Sequence, residues 1–284
     1  MTAALGPTHD PTWLARLLAD PDRLPQVPSG PLSLALLDNL ASPDPVLRDE
    51  LSLTLLDRLI EGDRLAPPDR ERLAAAAIDG HHLTAGLGHT GDDTVFARTF
   101  AVLVVAALVE HDRERQELAA PVIGRLADAV LAYAAGERDF RGYVPGKGWA
   151  HAAAHTADAL GSLAAHPALP ASRVLAILQG LRELASVPVP LAYLEDDRLA
   201  LAAHRIMRLG TATTDEVSAW LDQFSLPPAG VDVGSGIVMA SNQVHFLRSL
   251  YGRWLHTDPA SPWLPRILAA VTRCDRYAAA GPDA

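Results

Sequence analysis

The residues best suited to chemistry lie between positions 137 and 158. Ionisable side chains, glycines, one proline and one tryptophan are concentrated here, between two segments that are rich in alanine and leucine. A segment this polar between apolar helices is more typical of a functional site than of a packing surface. The candidate residues are Glu137, Asp139, Arg141, Lys147, Trp149, His151, His155 and Asp158.

Two of these candidates, His151 and His155, have the spacing of a metal-binding pair. We predict a helix over 148–165, on which residues four apart lie on one face, so both imidazoles could reach one divalent ion such as Zn²⁺. Asp158 lies about 10 Å along the axis from His151, at a rise of about 1.5 Å per residue, so we expect it to orient His155 instead of binding the metal. A third ligand would have to come from elsewhere, and the candidates are Glu195, Asp196 and Asp197.

A catalytic base would complete a metal centre. Ala152 occupies the position at which the His-Glu-x-x-His zinc motif has its glutamate, so the base would have to come from Glu137 or Asp139. With a divalent metal as cofactor, these residues predict a metal-dependent hydrolase of a small molecule. Without one, no cofactor is expected.

Two other interpretations of the same segment remain open. In the first, His151 lies in the first turn of its helix, and Arg141 and Lys147 complete a cradle for a carboxylate or phosphate. The protein would then be a non-catalytic helical scaffold that binds a peptide or an anionic ligand in a concave groove. In the second, the charged residues form a buried ion-pair network that only fixes the loop.

Helical periodicity recurs along the whole chain, and strand-like alternation is nearly absent. We therefore predict an all-α fold, an α-α superhelix of stacked antiparallel helix pairs of the HEAT or armadillo type, with an α/α toroid as the alternative. Only 230–239 could be extended, and its glycines favour a loop. The predicted helices are 12–19, 31–40, 44–61, 69–78, 93–110, 115–135, 148–165, 171–186, 190–209, 214–223, 241–256 and 262–279.

The domain organisation follows from the distribution of prolines. We predict an N-terminal helix and Pro-rich linker over 1–30 and a single helical-repeat-like domain over 31–280, with a frayed tail at 281–284. Asn242, His245, Arg248 and Tyr251 recur at intervals of three on one predicted helix. Their polar stripe, and the acidic segment that begins at Glu195, are expected to face the candidate site.

Composition excludes several functional classes. The net charge of −10 argues against nucleic acid as the main partner, because phosphate binding needs a basic surface. Residues 1–10 lack the pattern of a secretory signal, and the apolar run Phe100–Val109 is about half of what a membrane span needs, so it should be a buried core helix. The single cysteine, Cys274, allows no intramolecular disulfide. We expect a cytoplasmic protein without membrane contact.

Several segments together resemble a bacterial family known as domain of unknown function 2785. They are 44–51, 93–100, the long central segment 137–158, 195–199 and 246–251, and they span about residues 40–255. No activity is implied by the resemblance. The residues at the family's motif positions are Glu137, Asp139, Arg141, Lys147, Trp149, His151, His155, Asp158, Glu195 and Arg248. Five of them are expected to contact a ligand: Arg141, Lys147, Trp149, Glu195 and Arg248.

Overall fold

The chain folds almost entirely into α-helices, as a computed structural model describes it for residues 6–20 and 22–275. The all-α prediction is confirmed: these residues form twelve α-helices and one sheet of two short strands. The helices are α1 (Pro11–Ala19), α2 (Ser29–Asn39), α3 (Thr54–Glu61), α4 (Pro67–Ala77), α5 (Thr94–Arg115), α6 (Ala120–Gly136), α7 (Ala152–Ala164), α8 (Ala171–Leu184), α9 (Glu195–Leu209), α10 (Thr214–Asp222), α11 (Val233–Thr257) and α12 (Trp263–Cys274). The strands are β1 (Tyr143–Val144) and β2 (Gly148–Trp149).

Most helix positions follow the periodicity, but several predicted boundaries are wrong by four residues or more. α11 begins at Val233 instead of 241, because Asp232 caps it by accepting a hydrogen bond from the Ser235 N–H at 3.0 Å, and the helix continues through the glycines that were expected to form a loop. α9 begins at Glu195 instead of 190. α5 ends at Arg115 instead of 110, α6 begins at Ala120 instead of 115, and α7 begins at Ala152 instead of 148. α12 ends at Cys274 instead of 279, because the residue that follows it, Asp275, is extended. The predicted tail at 281–284 falls outside the described residues.

The helix predicted over 44–61 has an irregular first half. Residues Val46–Leu53 are π-helical and continue directly into α3. π-Helical turns are rare and often occur at functional sites. Here the turn carries Arg48, a completely buried arginine.

The chain divides into two units between Ala168 and Leu169. In the first unit, α5 is the central helix and packs against α2, α3, α4, α6 and α7. It is long and apolar enough to cross a membrane, but 72% of its apolar window is buried inside the protein. This burial confirms the prediction of a core helix over Phe100–Val109 and is consistent with a soluble protein.

In the second unit, α11 packs against α9 and α12. The side chain of Asn242, predicted as part of a ligand-facing stripe, is buried and holds the loop before α9. Its amide donates to the carbonyl oxygens of Val187 and Val189, both at 2.9 Å, and accepts from the Leu191 N–H at 3.2 Å. The stacked-pair superhelix and the domain limits at residues 30 and 280 stay predictions.

Candidate functional site

The polar segment folds as a β-hairpin that leads into α7. Pro145 and Gly146 join the two strands, and the Lys147 N–H donates to the Val144 carbonyl at 2.9 Å. Gly146 has a φ of +74°, and a proline followed by a left-handed glycine is the pattern of a type II turn. The hydrogen bonds of the hairpin extend to residues 141 and 151, and we call 141–151 the aromatic hairpin.

The prediction that helix 148–165 includes His151 in its first turn is wrong. α7 begins at Ala152, and His151 precedes it with a φ of +51°, in the left-handed region. The His151 N–H donates to the carbonyl of Arg141 at 3.0 Å, so this backbone is paired within the hairpin. The left-handed region is unfavourable for a residue with a side chain, and such residues often occur at functional sites.

A buried ion pair between Arg98 of α5 and Glu137 lies just before the hairpin in the sequence. Both side chains are at most 1% exposed, and the guanidinium donates to the two carboxylate oxygens at 2.8 and 3.1 Å. It also donates to the carbonyls of Ala85 and Gly86 at 2.7 and 3.0 Å. Because Glu137 Oε1 additionally accepts from the Asp139 N–H at 2.9 Å, the carboxylate that was predicted as a base is fully engaged.

The second predicted base, Asp139, is also held by an arginine. Arg141 donates to both of its oxygens, at 2.8 Å from Nε to Oδ1 and 2.7 Å from Nη2 to Oδ2, and the Gly91 N–H donates to Oδ2 at 2.9 Å. Burial raises the pKa of Asp139, but these bonds outweigh it and keep the pKa below its ordinary value. The arrangement favours a charged carboxylate that fixes the loop, as the structural interpretation predicts.

The tip of the hairpin rests on Arg48 from the π-helical turn. Its Nη2 donates to the Lys147 carbonyl at 2.7 Å and to Asp49 Oδ2 at 3.0 Å. The guanidinium carbon lies 4.1 Å from the ring centroid of Phe96 and 4.8 Å from that of Phe100. Arg48 therefore links the hairpin to α5 through charge and through its aromatic neighbours.

The lysine of the predicted cradle has a carboxylate partner. Lys147 Nζ lies 2.6 and 2.8 Å from the two oxygens of Asp93, and both side chains are 41% exposed. Such an exposed pair contributes about 0–1 kcal/mol. Because Lys147 and Arg141 each bind an aspartate, the positive charge expected for an anion cradle is neutralised locally.

Aromatic rings lead from the surface of the hairpin into the core. Tyr143 and Trp149 are 49% and 40% exposed and meet edge to face at a centroid distance of 5.1 Å. Trp149 stacks on His151 at 4.3 Å with an interplanar angle of 10°. His155 is buried and contacts Phe100 edge to face at 5.3 Å. The exposed pair thus rests on a continuous row of packed rings.

The predicted metal ligands lie next to each other. The ring centroids of His151 and His155 are 5.8 Å apart, and His155 Nδ1 lies 3.2 Å from the Thr99 carbonyl oxygen. Asp158 is partly buried one turn further along α7. In the part of the chain that the structure describes, no three His, Cys, Asp or Glu side chains converge on one point.

The predicted site residues of the second unit have local partners. Glu195 is buried at the start of α9 and accepts from the Tyr193 N–H at 2.6 Å. Asp196 accepts from Ser249 at 3.1 Å, and Asp197 accepts from Arg253 at 2.6 Å. Arg248 lies on an exposed face of α11 and donates to Asp275 at 3.1 Å.

Sequence reasoning missed three residues of this region: Arg48, Asp93 as the partner of Lys147, and Tyr143. The sequence had only weak signals for them. An arginine on the apolar face of a helix, as at Arg48, needs a buried partner. Asp93 directly precedes α5, where an aspartate is typical of a helix cap, and Tyr143 could be identified only once the segment was known to form a hairpin.

Comparison with known families gives one match. A sequence model of the family described as "Protein of unknown function (DUF2785)" matches residues 83–251, more than half of the chain. The matched range includes the whole aromatic hairpin and the loop that Arg98 binds. No curated protein and no solved structure matches at a significant level.

Glu137→Gln is expected to lower the free energy of unfolding by about 3–5 kcal/mol, because it leaves the Arg98 guanidinium buried without a counter-charge. Urea unfolding followed by circular dichroism measures this change. Asp93→Asn is the matched control: it removes the charge from an exposed pair, so its effect should stay within about 1 kcal/mol. Equal losses in the two variants would contradict the importance of the buried pair.

Gly148→Ala is expected to destabilise the protein by at least about 1 kcal/mol more than Gly146→Ala. Both glycines have positive φ, +80° and +74°, so both substitutions strain the backbone. Only at Gly148 would the new methyl group meet neighbours, 3.0 Å from Arg48 Nη2 and from Pro45 Cβ, whereas nothing lies within 4 Å at Gly146. Thermal unfolding of both variants measures the difference, and equal melting temperatures would show that the hairpin does not press on Arg48.

Proposed function

The chain belongs to this family of unknown function, and we propose from its own geometry that it is a non-catalytic helical scaffold whose aromatic hairpin binds a peptide. The observation that carries the proposal is the exposed pair Tyr143 and Trp149, which rests on packed rings. Tryptophan and tyrosine dominate the binding energy of many protein interfaces, because a large rigid ring loses little conformational entropy on binding. A surface that already holds these rings in place needs little rearrangement to bind.

The charges of the hairpin favour a peptide over a small anion. Arg141 and Lys147 would have to give up Asp139 and Asp93 before they could hold a carboxylate or phosphate as their main partner. The aromatic faces need no such exchange. We therefore expect apolar contacts to supply most of the affinity, and the paired charges at the rim to contribute to orientation.

The test uses a phage-displayed library of random twelve-residue peptides, selected on the full-length protein. Peptides that it enriches are expected to bind Trp149→Ala at least tenfold more weakly, measured by fluorescence polarisation of the synthetic peptide. Trp263→Ala, which removes a partly exposed tryptophan from α12, is the matched control and should bind like the unaltered protein. If no peptide is enriched, or if every enriched peptide binds Trp149→Ala with unchanged affinity, the hairpin is not the peptide-binding surface.

A metal-dependent hydrolase is the second candidate, and the histidine pair supports it. The 5.8 Å between the rings is close to the separation of two imidazoles that share one ion, and donation from His155 Nδ1 to the Thr99 carbonyl selects the tautomer whose Nε2 has a lone pair for a metal. A divalent ion held there would lower the pKa of a bound water. Glu137 and Asp139 could act as bases only after breaking their ion pairs with arginines. For this reason the hydrolase is the second candidate.

Elemental analysis of protein that has been loaded with Zn²⁺ and desalted tests the metal site. If the pair binds metal, about one equivalent should be retained, and the double variant His151→Ala/His155→Ala should lose it. His81→Ala, which removes an exposed histidine elsewhere, should keep the metal. Metal-free protein after loading, with its circular dichroism spectrum unchanged, would exclude the hydrolase.

Two further proposals, on cellular location and on the class of partner, apply to both candidate functions. The single cysteine, Cys274, is free and buried, and a chain without a disulfide fits a reducing compartment, so we propose a cytoplasmic location. The net charge of −10 supports the proposal that the partner is not nucleic acid.

A further inference from the structure

We infer that the groove between α9 and α11 binds a small amphipathic anion, with a phosphate or carboxylate head group on an apolar body. This groove lies wholly within the second unit, has a volume of about 870 Å³, and shares no residue with the aromatic hairpin. Its volume falls in the range of about 300–1,000 Å³ that is typical of small-molecule sites. We call it the basic groove.

Its charged and titratable lining is mostly cationic. The residues are Arg205, Arg208, Arg253, His204, His256 and Asp197. The chain has ten more acidic than basic residues, so three arginines against one aspartate in a single groove is a local reversal of charge. An anion would be drawn to this place on an otherwise acidic protein.

Two of the three guanidinium groups, those of Arg253 and Arg208, keep donors that other described residues leave unused. Among the described residues, the Arg253 side chain makes one hydrogen bond, to Asp197, and its buried Nε has no partner. Arg208 is exposed and has no hydrogen bond or ion pair within the described part of the chain. A buried donor without an acceptor costs about 1–3 kcal/mol, and an anion beside Arg253 could relieve that cost after a small side-chain shift.

The helix ends explain why the cations gather here. Asp197 contacts Arg253 and His204 contacts Thr257 at 3.0 Å, so α9 and α11 run parallel, and α11 ends beside the last two turns of α9. Cations near a helix C-terminus offset its dipole. Burial, and then the charges of Arg208 and Arg253, lower the pKa of His204. The charges of Arg208 and Arg253 therefore act on this side of the groove, although two helices have their C-terminal ends there.

The apolar walls of the groove indicate what the uncharged part of the ligand should be. Leu201 and Leu209 line it and are 44% and 50% exposed, and Gly252 leaves its side open. Covering these leucine surfaces with an apolar body of a few carbon atoms would remove them from water, which is favourable. An inorganic anion would satisfy the arginines but leave the leucines in water, so the groove should prefer an ion with an apolar portion.

Isothermal titration calorimetry of the full-length protein with hexyl phosphate and with hexanoate tests the inference. We expect saturable binding of one molecule of at least one probe, with inorganic phosphate at least tenfold weaker and hexanol undetectable. The two probes separate a phosphate from a carboxylate preference. Absence of saturable binding by both, or equal binding of hexanol, would overturn the inference.

Two arginine variants locate the binding. Arg208→Glu should weaken the preferred probe at least tenfold, whereas Arg266→Glu, at an exposed arginine of α12 that bonds Ser218 outside the groove, should bind normally. Melting temperatures without ligand are measured in parallel. If Arg208→Glu lowers the melting temperature but leaves the affinity unchanged, the arginine serves only the helix ends and the inference is wrong. Trp149→Ala should not affect this binding, so the result is independent of the peptide proposal.

Discussion

The buried charge of Arg98 is the constraint around which the first unit is organised. This arginine lies on α5, whose long apolar window is mostly buried, and an unpaired guanidinium there would be severely destabilising. Glu137 supplies the counter-charge, and the carbonyls of residues 85 and 86 accept the remaining N–H groups. Two loops are therefore drawn to one point on the helix. The same pairing gives Glu137 a structural task that competes with acid–base chemistry.

Because the charged side chains of the hairpin region are paired with one another, its aromatic side chains are the exposed groups left to contact a partner. Arg48, Arg141 and Lys147 each bind an aspartate, so the three cations of the hairpin region add little net charge. The most exposed large side chains that remain are Tyr143 and Trp149. Ring stacking on His151 continues inward to His155 and Phe100, so the display is rigid. An apolar partner is the one that such a surface would bind without first breaking ion pairs.

The helices could be predicted because their signals are local. α8 follows the periodicity closely, 171–186 predicted and Ala171–Leu184 observed, since apolar spacing and the flanking proline lie within one window. The hairpin was missed because its strands have two residues each, too few for alternation, although Val144-Pro145-Gly146-Lys147 is a turn signal. That Arg98 needs a partner was predictable. The identity of that partner, 39 positions away, depends on tertiary packing.

Arg98 in the first unit and Arg253 in the second differ in how far the fold satisfies their donors, and this difference carries functional meaning. In the first unit the N–H groups of Arg98 donate to a carboxylate and to carbonyl oxygens, so this arginine stabilises the fold and is not available to a ligand. In the second unit Arg253 has one aspartate contact and an unsatisfied Nε beside a groove, and its neighbour Arg208 is exposed. Helix dipoles account for the placement of cations there, but they give Arg253 Nε no acceptor. A donor set that the fold does not satisfy can be satisfied by water or by a ligand, and the exposed leucines beside it favour the ligand.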